Sequence, residues 1–322
     1  MIIDAHAHIF PQVQGLTAAG PTRGAGYGRI RIGDDLIQLL PPFCAETVFT
    51  PEMLIAHMDW AGVDKAVLLQ GPFYGECNAY VLAALARYPA RLMAAAYVDP
   101  WAPESRRSFA QTLEQANFCA VKLECSEATG LCGLHPQAQL ADPELGWLWA
   151  ELERRELVLV LDLGAVGSRS YQTAAVRAIA EKHPTLKIVI AHLGQPTPQA
   201  EADPTLWQLW REQIALGRLP NIWFDTAALP AYLPQEAFPY PSAARYLQLA
   251  LDWIGPAKIL WGTDAPGLLH HATYPQLLRL GKLHTQGLSP DEQALVLGGN
   301  ASQLFGQSSS LICQTESHQL IL

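Results

Sequence analysis

The sequence begins with MIIDAHAHI at residues 1–9, an apolar run of strand length that leads into two histidines separated by one alanine. Side chains alternate between the two faces of a β-strand, so His6 and His8 share a face. Both imidazoles can therefore reach one point near the carboxyl end of the strand. Because neutral imidazole is a common ligand of zinc and similar ions, the pair indicates a metal site on a rigid strand.

Seven more apolar runs of strand length follow, and helical patterns alternate with them. The predicted strands after the first lie at about 65–70, 92–98, 118–123, 157–162, 186–192, 221–225 and 258–264. The predicted helices lie at about 50–62, 76–88, 103–116, 143–155, 172–183, 204–216, 243–254, 274–284 and 290–298. Nearly continuous apolar strands are typical of a parallel sheet whose outer face is covered by helices. Eight such units in about 300 residues predict the α/β class and, within it, a closed (β/α)8 TIM barrel rather than an open sheet.

A single domain is predicted for residues 1–306, with one long insertion and a short tail after it. Residues 10–50 are rich in Gly, Pro and Thr and show no steady period. A connection of this length is uncommon, and an ordered one is usually a binding loop or a lid, so we predict a lid-like loop. Residues 307–322 have no clear pattern and are interpreted as a C-terminal tail.

Composition and charge exclude several classes of protein. The 322 residues carry a net charge of −9 with only 21 Lys and Arg residues, and no basic stripe would suit a nucleic-acid partner. No apolar stretch approaches about 18 residues, so no membrane span is predicted. The six cysteines form no CxxC pair and no signal peptide is evident, which together favour a cytoplasmic protein with reduced thiols. The expected partner is a small-molecule substrate.

Polar side chains follow several of the predicted strands, where the active site of such a barrel lies. They are Lys122 and Glu124 after the fourth strand, Asp162 after the fifth, His192 after the sixth, Asp225 after the seventh and Asp264 after the eighth. A lone Asp at this place often caps the next helix, and we interpret Asp225 in that way. His192 alone would fit a buried core histidine, but beside the histidine pair and Asp264 a catalytic role is favoured.

Three motifs in this order resemble those of the amidohydrolase superfamily. They are the His-x-His of the first strand, AHLG at residues 191–194 and WGTDAP at residues 261–266. Within the superfamily they are similar to the amidohydrolase-related branch, which contains carboxymuconate-semialdehyde decarboxylase, γ-resorcylate decarboxylase and several lactone hydrolases. GNASQLFG at residues 299–306 also resembles the usual last helix of that branch, so the resemblance spans residues 1–306.

The resemblance implies a centre with one divalent metal, commonly zinc or manganese. The metal would be held by His6, His8 and Asp264. His192 would lie beside it as the general acid/base or as an electrostatic partner. Relatives commonly form dimers or larger assemblies, so the resemblance also leaves open a homodimer or a larger homo-oligomer.

Further positions of the implied site carry open alternatives. In much of the family the fifth strand ends in another histidine ligand, where this chain has Asp162. A carboxylate can replace that ligand and favour manganese or magnesium, or it can mark a weakened metal site. Lys122 is predicted to contact a substrate carboxylate or to pair with Glu124 or Asp162. Trp261 is a candidate for the lining of an apolar substrate pocket, with core packing as the alternative.

A metal-dependent hydrolase is the favoured function. A divalent ion acidifies its bound water and polarises a carbonyl, while Asp264 can accept the water's proton and a protonated His192 can stabilise an oxyanion. This scheme cleaves a lactone, ester or amide of a small cyclic or carboxylated substrate. One alternative is a non-oxidative decarboxylase of an aromatic or enolic acid on the same site. The other is a catalytically silent barrel, for which Asp162 is the only argument.

Overall fold

Eight parallel strands follow one another in chain order around a barrel, in a computed structural model that describes residues 1–114 and 117–306. The strands are β1 (Ile3–Ala7), β2 (Gln14–Thr17), β3 (Gly20–Gly24), β4 (Arg29–Ile32), β5 (Asp35–Gln38), β6 (Lys65–Leu68), β7 (Leu92–Tyr97), β8 (Ala120–Glu124), β9 (Val158–Asp162), β10 (Ile188–Ile190), β11 (Ile222–Asp225) and β12 (Ile259–Leu260). Parallel pairing runs from β1 through β6 to β12. The ring closes where the Ala5 N–H donates to the Trp261 carbonyl at 3.0 Å and the Asp264 N–H donates to the His6 carbonyl at 2.7 Å. The predicted (β/α)8 barrel is confirmed.

Helices cover the outside of the barrel, and several of them begin at a residue whose side chain caps the helix. They are α1 (Pro51–Ala61), α2 (Asn78–Arg87), α3 (Ser105–Glu114), α4 (Leu131–Leu134), α5 (Gly146–Arg154), α6 (Thr173–Lys182), α7 (Pro198–Ala202), α8 (Pro204–Ile214), α9 (Pro241–Ile254), α10 (Tyr274–His284), α11 (Pro290–Ala294) and α12 (Asn300–Phe305). Thr50 caps α1 by accepting from the Met53 N–H, and Thr273 and Ser289 form capping boxes before α10 and α11. The predicted helix at 290–298 is interrupted, because the chain passes through a π-turn at Leu295–Gly299.

The barrel is filled with apolar side chains at the end where its strands begin. Inward-facing residues of this cluster include Ile3, Val67 and Val158, and α12 adds Leu304 and Phe305. A second, larger apolar cluster lies between the strands and the surrounding helices. Because the lower end is packed with hydrocarbon, the polar residues of the strands collect at the opposite, carboxyl end.

The segment at residues 10–50, predicted as a loop, contains regular structure. Strands β2 to β5 form a separate four-stranded antiparallel sheet. Its turns use Gly20 and Gly33, whose φ values of 120° and 55° suit glycine. The Gln14 and Leu16 N–H groups donate to carbonyls of the loop after β6, which fastens the sheet over the barrel. Strands of four or five residues between glycine turns carry too short a period to be seen in the sequence.

Two parts of the sequence interpretation fall outside the described residues. They are the predicted end of the helix at 103–116 and the predicted tail at 307–322. Of the helices in residues 1–114 and 117–306, none combines the length and the hydropathy needed to cross a bilayer.

Candidate active site

His6 and His8 are held at the carboxyl end of β1 through their Nδ1 atoms. His6 Nδ1 lies 3.0 Å from Asp225 Oδ2, and His8 Nδ1 lies 2.8 Å from the Leu69 carbonyl oxygen. Both partners only accept hydrogen bonds, so each Nδ1 carries the proton and each Nε2 presents a lone pair. Burial lowers the pKa of His6 to about 4 and also lowers the pKa of His8, which keeps both rings neutral at neutral pH.

Asp264, which follows β12, brings a carboxylate to these two lone pairs. Its Oδ1 lies 3.0 Å from His8 Nε2 and 3.7 Å from His6 Nε2. The carboxylate oxygen and the two imidazole lone pairs are three acceptors that face one another, and a bound cation would satisfy all three. The three ligand atoms lie within 4.8 Å of one another, and two nitrogens with one oxygen suit zinc or manganese, so these residues fit a divalent metal.

Asp225 belongs to the site, and its interpretation as a helix cap was wrong. Besides its contact with His6, it accepts through Oδ1 from the backbone N–H groups of His192 at 2.9 Å and Ala227 at 3.1 Å. A carboxylate behind an imidazole ligand fixes the tautomer and raises the basicity of the ring. The sequence signal for this role is the position of Asp225 at a strand end beside the other polar strand ends.

His192 has the opposite protonation state from the two histidines of β1. Its Nε2 lies 3.1 Å from Asp162 Oδ2, and its Nδ1 lies 3.2 Å from the Ala227 carbonyl oxygen. Two acceptors at the two nitrogens call for an imidazolium. Burial opposes that charge, but the Asp162 carboxylate overcomes burial and raises the pKa of His192 to about 10. The ring of this cation lies 4.7 Å from the ring of His6, centroid to centroid, so it can stabilise negative charge beside the metal-binding residues.

A left-handed turn presents His192 to the site. The residues from His192 to Gln195 all have positive φ, with values of 60°, 52°, 66° and 54° in order. The left-handed conformation costs a non-glycine residue about 1–2 kcal/mol, so this turn is strained. Because of this turn, the side chains of His192 and Gln195 both contact Asp162. Gln195 Nε2 donates to Asp162 Oδ1 at 2.9 Å.

Both carboxylate oxygens of Asp162 accept hydrogen bonds from neighbouring protein groups. In addition to His192 and Gln195, its Oδ1 accepts from the Gly164 N–H at 3.0 Å. Burial would raise the pKa of the Asp162 carboxyl, but the His192 imidazolium holds that pKa well below its usual range. Asp162 does not belong to the group of three ligand atoms described above, and its role as a further metal ligand stays a prediction.

Lys122 lies buried between the metal-binding residues and a second carboxyl group. Its Nζ lies 3.4 Å from His6 Nε2 and 3.7 Å from Glu124 Oε2, so Glu124, one of its predicted partners, is adjacent. Burial and the nearby charge of Asp162 raise the pKa of Glu124 to about 8. Glu124 can therefore carry a proton at neutral pH and donate a hydrogen bond. Contact of Lys122 with a substrate carboxylate stays a prediction.

A cavity of about 480 Å³ opens above these residues at the carboxyl end of the barrel. Of the residues predicted from the sequence, it is lined by His8, Lys122, Glu124, Asp162, His192 and Asp264. Trp261 is not brought to it, because this side chain is 3% exposed and packs against Gly281 of α10. Polar lining residues that sequence reasoning missed are Ser126, Glu127, Thr129, Ser168, Gln195 and Tyr232. They lie on loops after the strands, where a single sequence has no period that would single them out.

Comparison with known proteins finds lactonases among the sequences that are similar to this chain. Over 138 residues the chain is 30% identical to an L-fucono-1,5-lactonase of Burkholderia ambifaria. This alignment covers 41% of this chain and 45% of that protein. The chain thus spans about half the length of the curated relatives it matches.

Solved structures share the fold over nearly the whole chain. A zinc-bound amidohydrolase from Burkholderia multivorans superposes with a TM-score of 0.69 at 18% identity, covering 95% of this chain and 99% of that one. A probable 2-pyrone-4,6-dicarboxylic acid hydrolase from Acinetobacter baumannii gives a TM-score of 0.67 at 21% identity with the same coverage. At these identities the likeness shows the fold alone. A model of the amidohydrolase family matches residues 3–307, most of the chain. The chain therefore belongs to the amidohydrolase family, in the amidohydrolase-related branch that its motifs predicted.

Proposed function

We propose that this protein is a metal-dependent hydrolase that opens a neutral, hydroxylated lactone. The observation that carries the proposal is the pairing of two opposite functions at the floor of one cavity. The ligand atoms of His6, His8 and Asp264 lie within 4.8 Å of one another, and the ring of the His192 imidazolium lies 4.7 Å from the ring of His6. The similarity to an L-fucono-1,5-lactonase supports a cyclic ester as the substrate.

The charge of the cavity favours a neutral substrate. Two cations, Lys122 and His192, share the lining with four carboxyl groups, those of Glu124, Glu127, Asp162 and Asp264. Among the described residues no arginine lines the cavity. The two cations already lie beside carboxyl groups of the protein, His192 beside Asp162 and Lys122 beside Glu124. The described lining therefore offers no unshared cationic side chain to a substrate with two carboxylates. A polyol instead can use the hydroxyl, amide and carboxyl groups of the wall as donors and acceptors.

The roles of the chain's own residues follow from their protonation states. His6, His8 and Asp264 would hold the metal, which when bound supplies Lewis acidity to water and to a carbonyl oxygen. Asp264 accepts the proton of the water that attacks the lactone carbonyl carbon. The His192 imidazolium stabilises the negative charge that develops on the carbonyl oxygen. The ring C–O bond then breaks, and Asp264 returns the proton to the departing ring oxygen.

The test is a substrate panel on purified protein supplied with zinc or manganese. The panel holds L-fucono-1,5-lactone, other neutral sugar lactones, 2-pyrone-4,6-dicarboxylate and 2,6-dihydroxybenzoate, and acid release and carbon dioxide release are both followed. We expect acid release from a neutral lactone, with kcat/KM at least about tenfold above that for the pyrone dicarboxylate. Preference for the dicarboxylate would contradict the proposed substrate class. Carbon dioxide release from the aromatic acid would favour the decarboxylase alternative, and inactivity together with failure to bind zinc or manganese would favour the silent barrel.

A further inference from the structure

The strained turn that carries His192 is supported from behind by buried side chains that take no part in the proposed chemistry. Trp210 Nε1 donates to the Leu193 carbonyl at 2.9 Å, and the Tyr171 hydroxyl donates to the Gly194 carbonyl at 2.9 Å. Trp210 is fully buried, and Tyr171 is 8% exposed. Both bonds therefore hold carbonyl groups of the turn in a region that excludes water.

The turn has little room for another backbone path. A Cβ atom on Gly194 would lie 2.4 Å from Gln213 Oε1 and 3.0 Å from the Tyr171 hydroxyl. Gln213 is fully buried on α8, and its side-chain amide has no hydrogen-bond partner among the described residues. Such close packing around a run of left-handed residues indicates that the surroundings determine this conformation against its strain.

The conformation of the turn decides where two site residues point. One carboxylate oxygen of Asp162 accepts a hydrogen bond from His192 Nε2 at 3.1 Å, and the other accepts from Gln195 Nε2 at 2.9 Å. If the turn relaxed to right-handed φ values, the two side chains would no longer leave the backbone in these directions.

We propose that Trp210 and Tyr171 are positioning residues, which hold the turn at residues 192–195 so that His192 stays bound to Asp162 beside the metal-binding residues. The proposal deepens the proposed function and rests on it for its kinetic consequence. Neither side chain lines the cavity, so both act through the two carbonyl groups that they bind.

Two variants remove the donors with little change of shape. Tyr171→Phe deletes one hydroxyl, and Trp210→Phe deletes the indole N–H together with part of the ring. Tyr240→Phe is the matched control for the first, because the Tyr240 hydroxyl donates at 3.0 Å to a carbonyl, that of His271, on a different loop. Trp149→Phe is the control for the second, since Trp149 is 3% exposed and lies in the outer core.

The kinetic readout is the lactone assay on the metal-loaded protein. We expect Tyr171→Phe and Trp210→Phe each to lower kcat by about tenfold or more with KM within about twofold of the wild type. The two controls should leave both constants within about twofold. A general loss of stability would instead lower the fraction of folded protein. Thermal unfolding of all four variants measures that fraction.

A second readout does not need the proposed activity. In protein with ¹⁵N-labelled histidine, the Nε2 proton of His192 bound to Asp162 should give a downfield NMR signal, which His192→Gln identifies by its loss. We expect this signal to weaken or shift in Tyr171→Phe and Trp210→Phe and to stay unchanged in the two controls. An unchanged signal in both test variants would overturn the inference, even if no lactone is hydrolysed. Altered signals without any wild-type lactone turnover would support the positioning role and refute the proposed function alone.

Discussion

At the scale of single residues, the site depends on which nitrogen of each histidine carries a proton. The Nδ1 atoms of His6 and His8 each face an acceptor, and burial keeps both rings neutral, so their Nε2 atoms present lone pairs towards Asp264. His192 faces an acceptor at both nitrogens and is an imidazolium. One residue type thus supplies metal ligands and an electrostatic catalyst at one site, because the charges around the rings differ: Lys122 lies near His6 and His8, and the Asp162 carboxylate binds His192.

Asp225→Asn is expected to weaken metal binding although Asp225 is not a ligand. The amide would present either an uncharged oxygen or an N–H to His6 Nδ1, so the tautomer that exposes Nε2 would be less favoured. We expect zinc affinity to fall about 10- to 100-fold, measured by competition with a chromophoric chelator. Asp252→Asn, on the exposed face of α9, is the control. Equal zinc affinity in the two variants would remove Asp225 from its assigned role.

His192→Gln should separate catalysis from metal binding. The amide keeps a polar side chain but loses the positive charge, so the developing oxyanion would lack its stabilising partner. We expect kcat to fall by about 10²- to 10³-fold, while zinc affinity stays within about threefold of the wild type. Steady-state kinetics and the chelator competition on the same preparation measure both. Retained turnover, or loss of turnover in proportion to lost zinc, would be inconsistent with an electrostatic role.

At the scale of elements, the short turn after β10 is as important to the site as the strands. Gly194→Ala should destabilise the protein, because φ is 66° and the new Cβ would approach Gln213 Oε1. We expect the free energy of unfolding to drop by about 2–4 kcal/mol in urea titrations. Gly287→Ala is the control, since a Cβ there meets nothing within 4 Å. Losses of equal size in both variants would show that the turn is not tightly packed.

Some elements of the fold could be predicted from the sequence, and others could not. The barrel strands were predictable because burial on both faces makes them continuous apolar runs, as in VLVLD of β9. The histidine pair and Asp264 were predictable because strand ends meet at one place in such a barrel. The short strands over the barrel were not, since glycine turns break their period. The contacts of Asp225 and Gln195 were not either, because they depend on backbone angles and on neighbours distant in sequence.

At the scale of the whole molecule, the barrel is a rigid frame that gathers distant parts of the chain. Asp264 and His8 are 256 residues apart in sequence, and their side chains approach to 3.0 Å. Below the site, Asp4 of β1 also connects the first barrel strand to the chain that follows β12. Its carboxylate accepts from the Thr263 N–H at 2.9 Å and from the Tyr274 hydroxyl at 2.8 Å. An ion held by this site would therefore stabilise the folded barrel as a whole.

Metal binding is thus expected to raise the thermal stability of the protein. Zinc at about 100 times its Kd should add about 2.7 kcal/mol to the free energy of unfolding, a rise of several degrees in Tm. A chelator should reverse the rise, and His8→Ala should show little of it. Differential scanning calorimetry measures these shifts. The same rise in His8→Ala as in the wild type would place the stabilising ion elsewhere.

Opening of a neutral lactone is proposed to depend on a metal ion held by His6, His8 and Asp264. Its most direct test is the rate of L-fucono-1,5-lactone hydrolysis, above the spontaneous rate, by wild-type protein and His8→Ala, each with zinc or manganese and with chelator. We predict turnover by the metal-loaded wild type, its loss with chelator, its return on adding metal, and a rate at least about 10²-fold lower in His8→Ala than in the wild type when both are supplied with metal. Equal wild-type rates with chelator and with metal, or equal rates for the two metal-supplied proteins, would contradict the account.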